Sequence, residues 1–204
     1  MQNLNQDLKS GTWKQIYLLY GNEPFLRRSY KNRLKEAIIG DDAMNYSYFE
    51  GKDLDFSVVK DMAETLPFFS DKRLIIIEDS GLFKSTAEEW VEYLPKLPDS
   101  TYIIFVESEI DKRGRLYKRL REIGYAADLS KQDEASLKRW IIGNLSQNGQ
   151  KITREALDLF LFKTGDEMEN IKMELDKLIA YCINKDGITP VEVEEICTER
   201  TTNR

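Results

Sequence analysis

The residues with the clearest potential to bind a ligand begin at Gly21, where an apolar run at 16–20 ends and a helical pattern starts. This order is typical of a phosphate loop, G-x-x-x-x-G-K-[ST], in which backbone N–H groups and a lysine bind phosphate and a hydroxyl group binds Mg²⁺. With Gly21 as the first glycine, Leu26 replaces the second and places a Cβ where close approach is required. Arg27 and Arg28 occupy the lysine and Ser/Thr positions. Arg28 would offer Mg²⁺ a cation where the metal needs an oxygen. Of the chemical groups of the motif, only the positive charge is therefore present here.

The same residues also fit an ordinary helix start. Pro24 has no N–H to donate to a phosphate, but it suits the first turn of a helix, where that N–H would be unbonded anyway. Asn22 is a suitable N-cap for such a helix. We therefore predict a structural strand-to-helix turn at Gly21, with weak nucleotide binding as the alternative.

A pair of carboxylates, Glu78 and Asp79, follows the apolar run at 74–77. In a nucleotide-binding fold, carboxylates at a strand end bind a metal ion or position water. Carboxylates are equally common at solvated strand ends, and without a competent phosphate loop they have no nucleotide to act on. We predict no catalytic residue and no metal site here.

The amino-acid composition excludes further kinds of functional site. The sequence has no histidine, which excludes common catalytic triads and most zinc sites. Cys182 and Cys197 lack the spacing of a zinc site and make no disulfide framework, which suits a reducing cytoplasm. A net charge of −6 argues against a surface that coats nucleic acid, although a local basic patch remains compatible with it. No apolar run approaches the ~20 residues of a membrane span, and residues 1–12 lack the apolar core of a signal peptide. We expect a cytoplasmic protein without membrane contact.

The elements that must position these residues alternate between strand-like and helix-like segments in the first two thirds of the chain. Runs typical of strands occupy 16–20, 45–50, 73–78, 101–106 and 124–129. Apolar residues with helical spacing lie between them. This alternation predicts crossover connections and a mainly parallel sheet, and the continuous apolar runs at 74–77 and 102–106 are typical of its central strands. We predict an α/β fold.

After Leu129 the strand-like runs stop. Apolar stripes with helical spacing follow near 137–145, 156–161 and 171–182, and Thr189-Pro190 looks like one more helix start. The segment at 130–134 is the predicted junction. We predict an α/β domain at 1–129 and a small all-α domain at 130–204.

Five segments together carry a resemblance to a known family. They are "YLLYGNEPFLRR", "LPFFSDKRLIIIED", "YIIFVESEIDKRGRLYKRL", "LSKQDEASLKRWI" and "GDEMENIKMELDKL". In this order, the five segments resemble the delta subunit of bacterial DNA polymerase III. The resemblance extends over almost the whole chain. Each segment alone is moderately specific, whereas the five in this order are strongly so.

The resemblance implies an AAA+-type, P-loop NTPase-like domain with a degenerate phosphate loop and no ATPase activity, followed by a helical lid domain. It implies a heteropentameric clamp loader with gamma/tau and delta prime subunits, which places the sliding clamp (beta subunit) on primed DNA. No cofactor is implied for this subunit, and DNA-directed DNA polymerase activity, a nucleotidyltransferase activity, would belong to the holoenzyme. The family also has a C-terminal collar domain, which we expect to be absent from this chain.

The resemblance further implies that the apolar side chains of Leu66, Phe68 and Phe69 enter a hydrophobic pocket on the clamp and open it. The residues themselves already suggest an exposed ring, because neighbours lie ~100° apart on a helix or on opposite faces of a strand. Phe68 and Phe69 therefore cannot both enter one core. The alternative is that one ring packs under the sheet and the other lies against a loop.

A basic segment contains six Lys/Arg between 112 and 121, together with an apolar stripe. It is either a solvated amphipathic helix or a contact for DNA phosphates or an acidic neighbouring subunit. The candidate contact residues are Lys112, Arg113, Arg115, Lys118 and Arg119. Two rival functions therefore remain, an active AAA+ ATPase and a nucleic-acid-binding adaptor.

Overall fold

The computed structural model describes residues 2–198, which form two compact units, one ending at Lys131 and the other beginning at Gln132. Residues 199–204 of the predicted second domain lie outside the described residues. In the described part of the chain, no helix has both the length and the apolar character to cross a bilayer.

The first unit is built on a five-stranded sheet in which every pair of neighbouring strands is parallel. Its strands are β1 (Ile16–Tyr20), β2 (Tyr46–Glu50), β3 (Arg73–Glu78), β4 (Thr101–Glu107) and β5 (Tyr125–Asp128), in the order β2-β3-β4-β1-β5. The predicted parallel sheet and all five predicted strands are confirmed. The continuous apolar runs of β3 and β4 are buried in the middle of the sheet, as both faces of a parallel sheet are covered.

Helices cover both faces of this sheet. They are α1 (Gln2–Ser10), α2 (Pro24–Ile39), α3 (Phe56–Glu64), α4 (Glu88–Tyr93) and α5 (Arg115–Ile123). Alternate residues of each strand face opposite sides, so that Ile16 and Leu18 join one core cluster with Trp90 of α4 and Leu120 of α5. The α2 helix contacts β1, β3 and β4, and it buries Leu26, Tyr30, Leu34 and Ile38.

The α1 helix was not predicted from the sequence, because seven of its nine residues are polar. Its Leu4 is fully buried. Side chains rather than an apolar stripe attach the rest of this helix, since the Tyr17 hydroxyl donates to the Asp7 carboxylate (2.8 Å) and the Tyr30 hydroxyl donates to Asn5 Oδ1 (3.2 Å).

The second unit is helical. The described residues contain α6 (Glu134–Gln147), α7 (Arg154–Thr164), α8 (Met168–Tyr181) and α9 (Pro190–Ile196). Each predicted stripe lies on one of these helices, and the helix start predicted at Thr189-Pro190 is confirmed by a capping box. The predicted fold class, an α/β domain followed by a helical segment, is therefore confirmed.

The capping box of α9 gives a pH-dependent contribution to stability. The hydroxyl and backbone N–H of Thr189 donate to the Glu192 carboxylate (2.6 and 2.9 Å), and Lys185 is paired with it at 3.1 Å. These contacts lower the pKa of Glu192 from 4.5 to about 2. Because the folded-state pKa is the lower one, the stabilisation is fully present above about pH 4.5 and is lost as the pH falls toward about 2.

We expect Glu192→Gln to test this contribution. Glutamine keeps an acceptor for Thr189 but loses the charge, so the native protein should have the higher thermal midpoint at neutral pH. The difference in midpoint should shrink as the pH is lowered from about 5 to about 2, measured by calorimetry. A difference that is constant over this range would show that the carboxylate does not stabilise the fold in its charged form.

Candidate functional site

The loop after β1 is closed by hydrogen bonds within the first unit. The N–H of Gly21 donates to the carbonyl oxygen of Glu107 at the end of β4 (3.1 Å). The N–H of Glu23 donates to the carbonyl oxygen of Leu129 just after β5 (3.1 Å). In a phosphate loop such backbone donors must point at the ligand, and here protein carbonyls already occupy two of them.

Gly21 is required by this closure rather than by a phosphate. Its φ is +134°, and a Cβ built there would lie 2.4 Å from the carbonyl carbon of Leu129 and 2.5 Å from the nitrogen of Ser130. Only a glycine tolerates both the positive φ and this close approach of two backbones.

The cationic residues of the loop are placed differently from those of a phosphate loop. The guanidinium of Arg27, at the lysine position, donates to the carbonyl oxygen of Gly21. Arg28, at the Ser/Thr position, lies on the exposed side of α2. The cation at the lysine position thus binds the backbone of the loop itself.

The predicted N-cap of α2 is wrong by one residue. Glu23, not Asn22, is the N-cap, and its carboxylate accepts from the N–H of Phe25 (3.2 Å). The reason is Pro24 at the first helical position, which forces the preceding residue into the extended conformation that an N-cap adopts. The side chain of Asn22 instead accepts from the N–H of Lys131 (2.9 Å).

Of the carboxylate pair at the end of β3, Glu78 is held by protein contacts and Asp79 is exposed. Glu78 forms an ion pair with Lys31 and accepts from the hydroxyl of Tyr48 (3.1 Å). Asp79 is exposed and adopts a left-handed φ of +50°. Among residues 2–198, no group of three or more acidic or cysteine side chains is placed to hold a metal ion. The geometry therefore gives no support to the alternative in which this pair binds a metal.

A third carboxylate at the same sheet edge had no signal in the sequence. Glu107 is buried at the end of β4, where it accepts from the N–H of Ser80 (3.1 Å) and the N–H of Gly81 (3.3 Å). Burial raises the pKa of Glu107. Its contacts show a structural role, since they attach the loop after β3 to the adjacent strand.

An exposed apolar surface lies directly after α3. We call residues 66–69 the docking segment; its Leu66, Phe68 and Phe69 are 80%, 52% and 95% exposed. The two rings contact each other edge to face, with centroids 4.4 Å apart. The prediction that at least one ring is exposed is confirmed for both, and the alternative in which one ring packs under the sheet is wrong.

Helix α3, which precedes the docking segment in the chain, also exposes apolar side chains. Val58 and Met62, four residues apart on one helix face, are both exposed. Exposed apolar side chains that occur close together, rather than singly, mark sites where another molecule binds.

The basic segment is the α5 helix and the turn before it, and acidic neighbours compensate much of its charge. Ion pairs join Lys112 to Asp128 (2.9 Å), Arg113 to Asp111 (3.0 Å), Arg115 to Glu88 (2.6 Å) and Arg119 to Glu122 (2.7 Å). Within the described residues, Lys118 has no ion pair. Exposed pairs of this kind are weak and exchangeable, so a contact with phosphates or an acidic subunit stays a prediction for these residues.

A parallel sheet in the order β5-β1-β4-β3-β2, with helices in the crossovers and a strand–loop–helix unit at Gly21, defines a parallel α/β domain. The model of the family "DNA polymerase III, delta subunit" matches residues 17–126. The chain therefore belongs to the DNA polymerase III delta subunit family.

Individual relatives agree with this assignment. The chain is 24% identical to DNA polymerase III subunit delta of Bacillus subtilis, over 93% of this chain and 58% of the relative. It is 22% identical to the probable DNA polymerase III subunit delta of Aquifex aeolicus, over 90% and 55%. The chain thus spans less than two thirds of the length of these relatives.

Solved structures show the same fold. The DNA clamp loader delta protein of Bacillus subtilis superposes with a TM-score of 0.82 at 20% identity, over 98% of this chain and 62% of that one. A DNA polymerase III gamma subunit-related protein of Thermotoga maritima gives a TM-score of 0.50 at 17% identity, over 87% and 60%.

Proposed function

We propose that this chain is the clamp-opening subunit of a replicative DNA clamp loader, and that it binds the sliding clamp through Leu66, Phe68 and Phe69. The observation that carries the proposal is the exposure of this apolar segment in a member of the delta family, with Phe69 95% exposed. Large apolar side chains that enter a pocket on a partner are the usual anchors of a protein interface.

Binding energy supplies the work of opening in this proposal. Each large apolar side chain that becomes fully buried contributes about 1.5–3 kcal/mol. A ligand shifts an equilibrium only by its difference in affinity for the two states. The docking segment must therefore bind the open form of the clamp more tightly than the closed form.

Nucleotide hydrolysis is not needed for this role. The closed loop at Gly21 supports a subunit that does not hydrolyse ATP, because two of its N–H groups and Arg27 bind the protein's own carbonyls. The gamma/tau and delta prime subunits of a heteropentamer, and primed DNA, are the further partners in this proposal. DNA-directed DNA polymerase activity belongs to the holoenzyme.

The two parts of the chain have separate roles in this assembly. We assign residues 1–129 as the AAA+-like domain and residues 130–204 as the helical lid.

Cys182 and Cys197 are free and buried, and burial raises the pKa of Cys197 to about 11. Such thiols are unreactive at neutral pH, and they support the cytoplasm as the location.

The proposal is tested by retention of the chain on beads that carry the sliding clamp of the same organism. We expect Leu66→Ala and Phe69→Ala each to reduce retention strongly, because each removes an anchor. Phe162→Ala is the matched control, since Phe162 is 80% exposed but lies in the second unit. Native retention of both docking-segment variants would remove the proposed site.

Two further measurements separate the rival functions. Tight, magnesium-dependent binding of ATP would favour an active ATPase. Binding of DNA that weakens steeply with salt and requires Lys118 and Arg115 would favour a nucleic-acid adaptor.

A further inference from the structure

The backbone of the docking segment is held by a buried asparagine from another part of the chain. Asn45 lies immediately before β2 and is fully buried. Its Oδ1 accepts from the N–H of Phe68 (2.7 Å), and its Nδ2 donates to the carbonyl oxygen of Phe68 (2.9 Å). One side-chain amide thus binds both backbone groups of a residue whose ring is exposed.

Asn45 is itself fixed in place. Its second Nδ2 hydrogen goes to Oδ2 of Asp42 (2.7 Å), and its own backbone N–H donates to Oδ1 of the same carboxylate (3.2 Å). Its carbonyl oxygen accepts from the N–H of Leu74 in β3 (2.9 Å). The side-chain amide therefore has one orientation, in which its oxygen faces the N–H of Phe68.

A buried arginine holds the other end of the segment. Arg73, the first residue of β3, donates from Nε to the carbonyl oxygen of Thr65 (3.1 Å) and from a terminal guanidinium nitrogen to that of Leu66 (3.3 Å). Pro67, between the two attachment points, has its φ fixed by its ring. Phe69 follows with a φ of +49°, a conformation that non-glycine residues adopt only when their surroundings impose it.

We propose that Asn45 and Arg73 are positioning residues, which hold the docking segment in its clamp-binding conformation before the clamp is met. This inference rests on the proposed function. Neither residue needs to touch the clamp. Fixing the backbone of one residue costs an amount equivalent to about a tenfold change in an equilibrium constant, and a segment that is already fixed does not pay this cost on binding.

Asn45 could hold the docking segment in position or could only stabilise the fold. Hydrogen exchange at the amide of Phe68 distinguishes these two roles. Its N–H is bonded to a side chain rather than to a strand or helix, so its hydrogen exchange reports local opening of the Asn45 contact as well as global unfolding. Exchange of amides in β3 and β4 reports the folding of the sheet. Both can be followed in the same sample by NMR.

The experiment compares the native chain with Asn45→Ala, Arg73→Lys and Phe69→Ala, measuring amide exchange and affinity for the sliding clamp. We expect Asn45→Ala to lose protection at Phe68 while β4 stays protected, and to bind the clamp about tenfold more weakly or worse. Arg73→Lys keeps the charge but not the two-pronged contact, and it should weaken binding in the same direction. Phe69→Ala should weaken binding while the Phe68 amide stays protected.

The outcomes separate this inference from the proposed function. Weak binding by Phe69→Ala together with native binding by a folded Asn45→Ala that has lost protection at Phe68 would overturn the inference alone. If the amides of β4 also lose their protection from exchange in Asn45→Ala, that variant is not natively folded. Arg73→Lys then tests the inference, and native affinity of Arg73→Lys for the clamp would overturn it. Native affinity of Phe69→Ala together with native retention of Leu66→Ala would overturn the proposed function, whatever the amide of Phe68 shows.

Discussion

Gly21→Ala is expected to lower the thermal stability of the first unit sharply, although no ligand is involved. The new Cβ would lie 2.4 Å from the carbonyl carbon of Leu129, at a φ of +134° that alanine does not tolerate. The neighbouring backbone cannot simply move away, because the N–H and the carbonyl of Leu129 are bonded to Tyr20 and Glu23. A clash of this kind together with a strained φ costs about 3 kcal/mol or more, which corresponds to a fall of roughly 10 °C.

Gly51→Ala is the matched control for this prediction. Gly51 also has a positive φ, +90°, but a Cβ built there meets nothing within 4 Å. Only the conformational cost remains, about 1 kcal/mol. Calorimetry of both variants separates strain from crowding, and equal shifts would contradict the closure of the loop on residues 129–130.

The crowding at Gly21 also explains why a glycine stands at this position of the loop. A glycine at the start of a strand–loop–helix unit is usually explained by phosphate binding. Here the same residue is required because the chain that follows β5, at Leu129 and Ser130, runs past the loop and its backbone fills the space beside Gly21. A glycine at position 21 therefore needs no nucleotide to explain it, since packing against residues 129–130 already requires one.

The sequence predicted most of the fold because periodicity reflects burial directly. The strands of a parallel sheet are covered on both faces, so 74–77 and 102–106 read as unbroken apolar runs. Helices buried on one face gave stripes with the 3.6-residue spacing. The α1 helix was missed for the opposite reason, since only Leu4 and Leu8 are apolar and hydrogen bonds from tyrosines help to hold it.

The candidate site was only partly predictable. Two adjacent phenylalanines indicated an exposed ring, but no local signal predicts the left-handed φ of Phe69 or the exposure of both rings. The contact between Asn45 and Phe68 joins residues 23 positions apart. A single asparagine before a strand looks like any turn residue, so only the folded chain shows what its amide binds.

Removing two anchors at once, in Leu66→Ala/Phe69→Ala, is expected to have the largest effect on clamp binding. If each side chain contributes about 1.5–3 kcal/mol on burial in the clamp, the pair contributes about 3–6 kcal/mol. The dissociation constant should therefore rise by roughly 10²–10⁴-fold. Surface plasmon resonance with immobilised clamp measures this change.

The same double variant should keep its thermal midpoint, and the combination of the two results is diagnostic. Leu66 and Phe69 are 80% and 95% exposed, so their truncation removes almost no buried surface from the chain itself. A parallel double variant in the second unit, Phe162→Ala/Ile183→Ala, removes comparable exposed surface and should change neither affinity nor midpoint. A lower midpoint together with weaker binding in Leu66→Ala/Phe69→Ala would assign these side chains to the fold. Weaker binding at an unchanged midpoint assigns them to the partner, because apolar side chains that the chain leaves in water contribute free energy only where another molecule buries them.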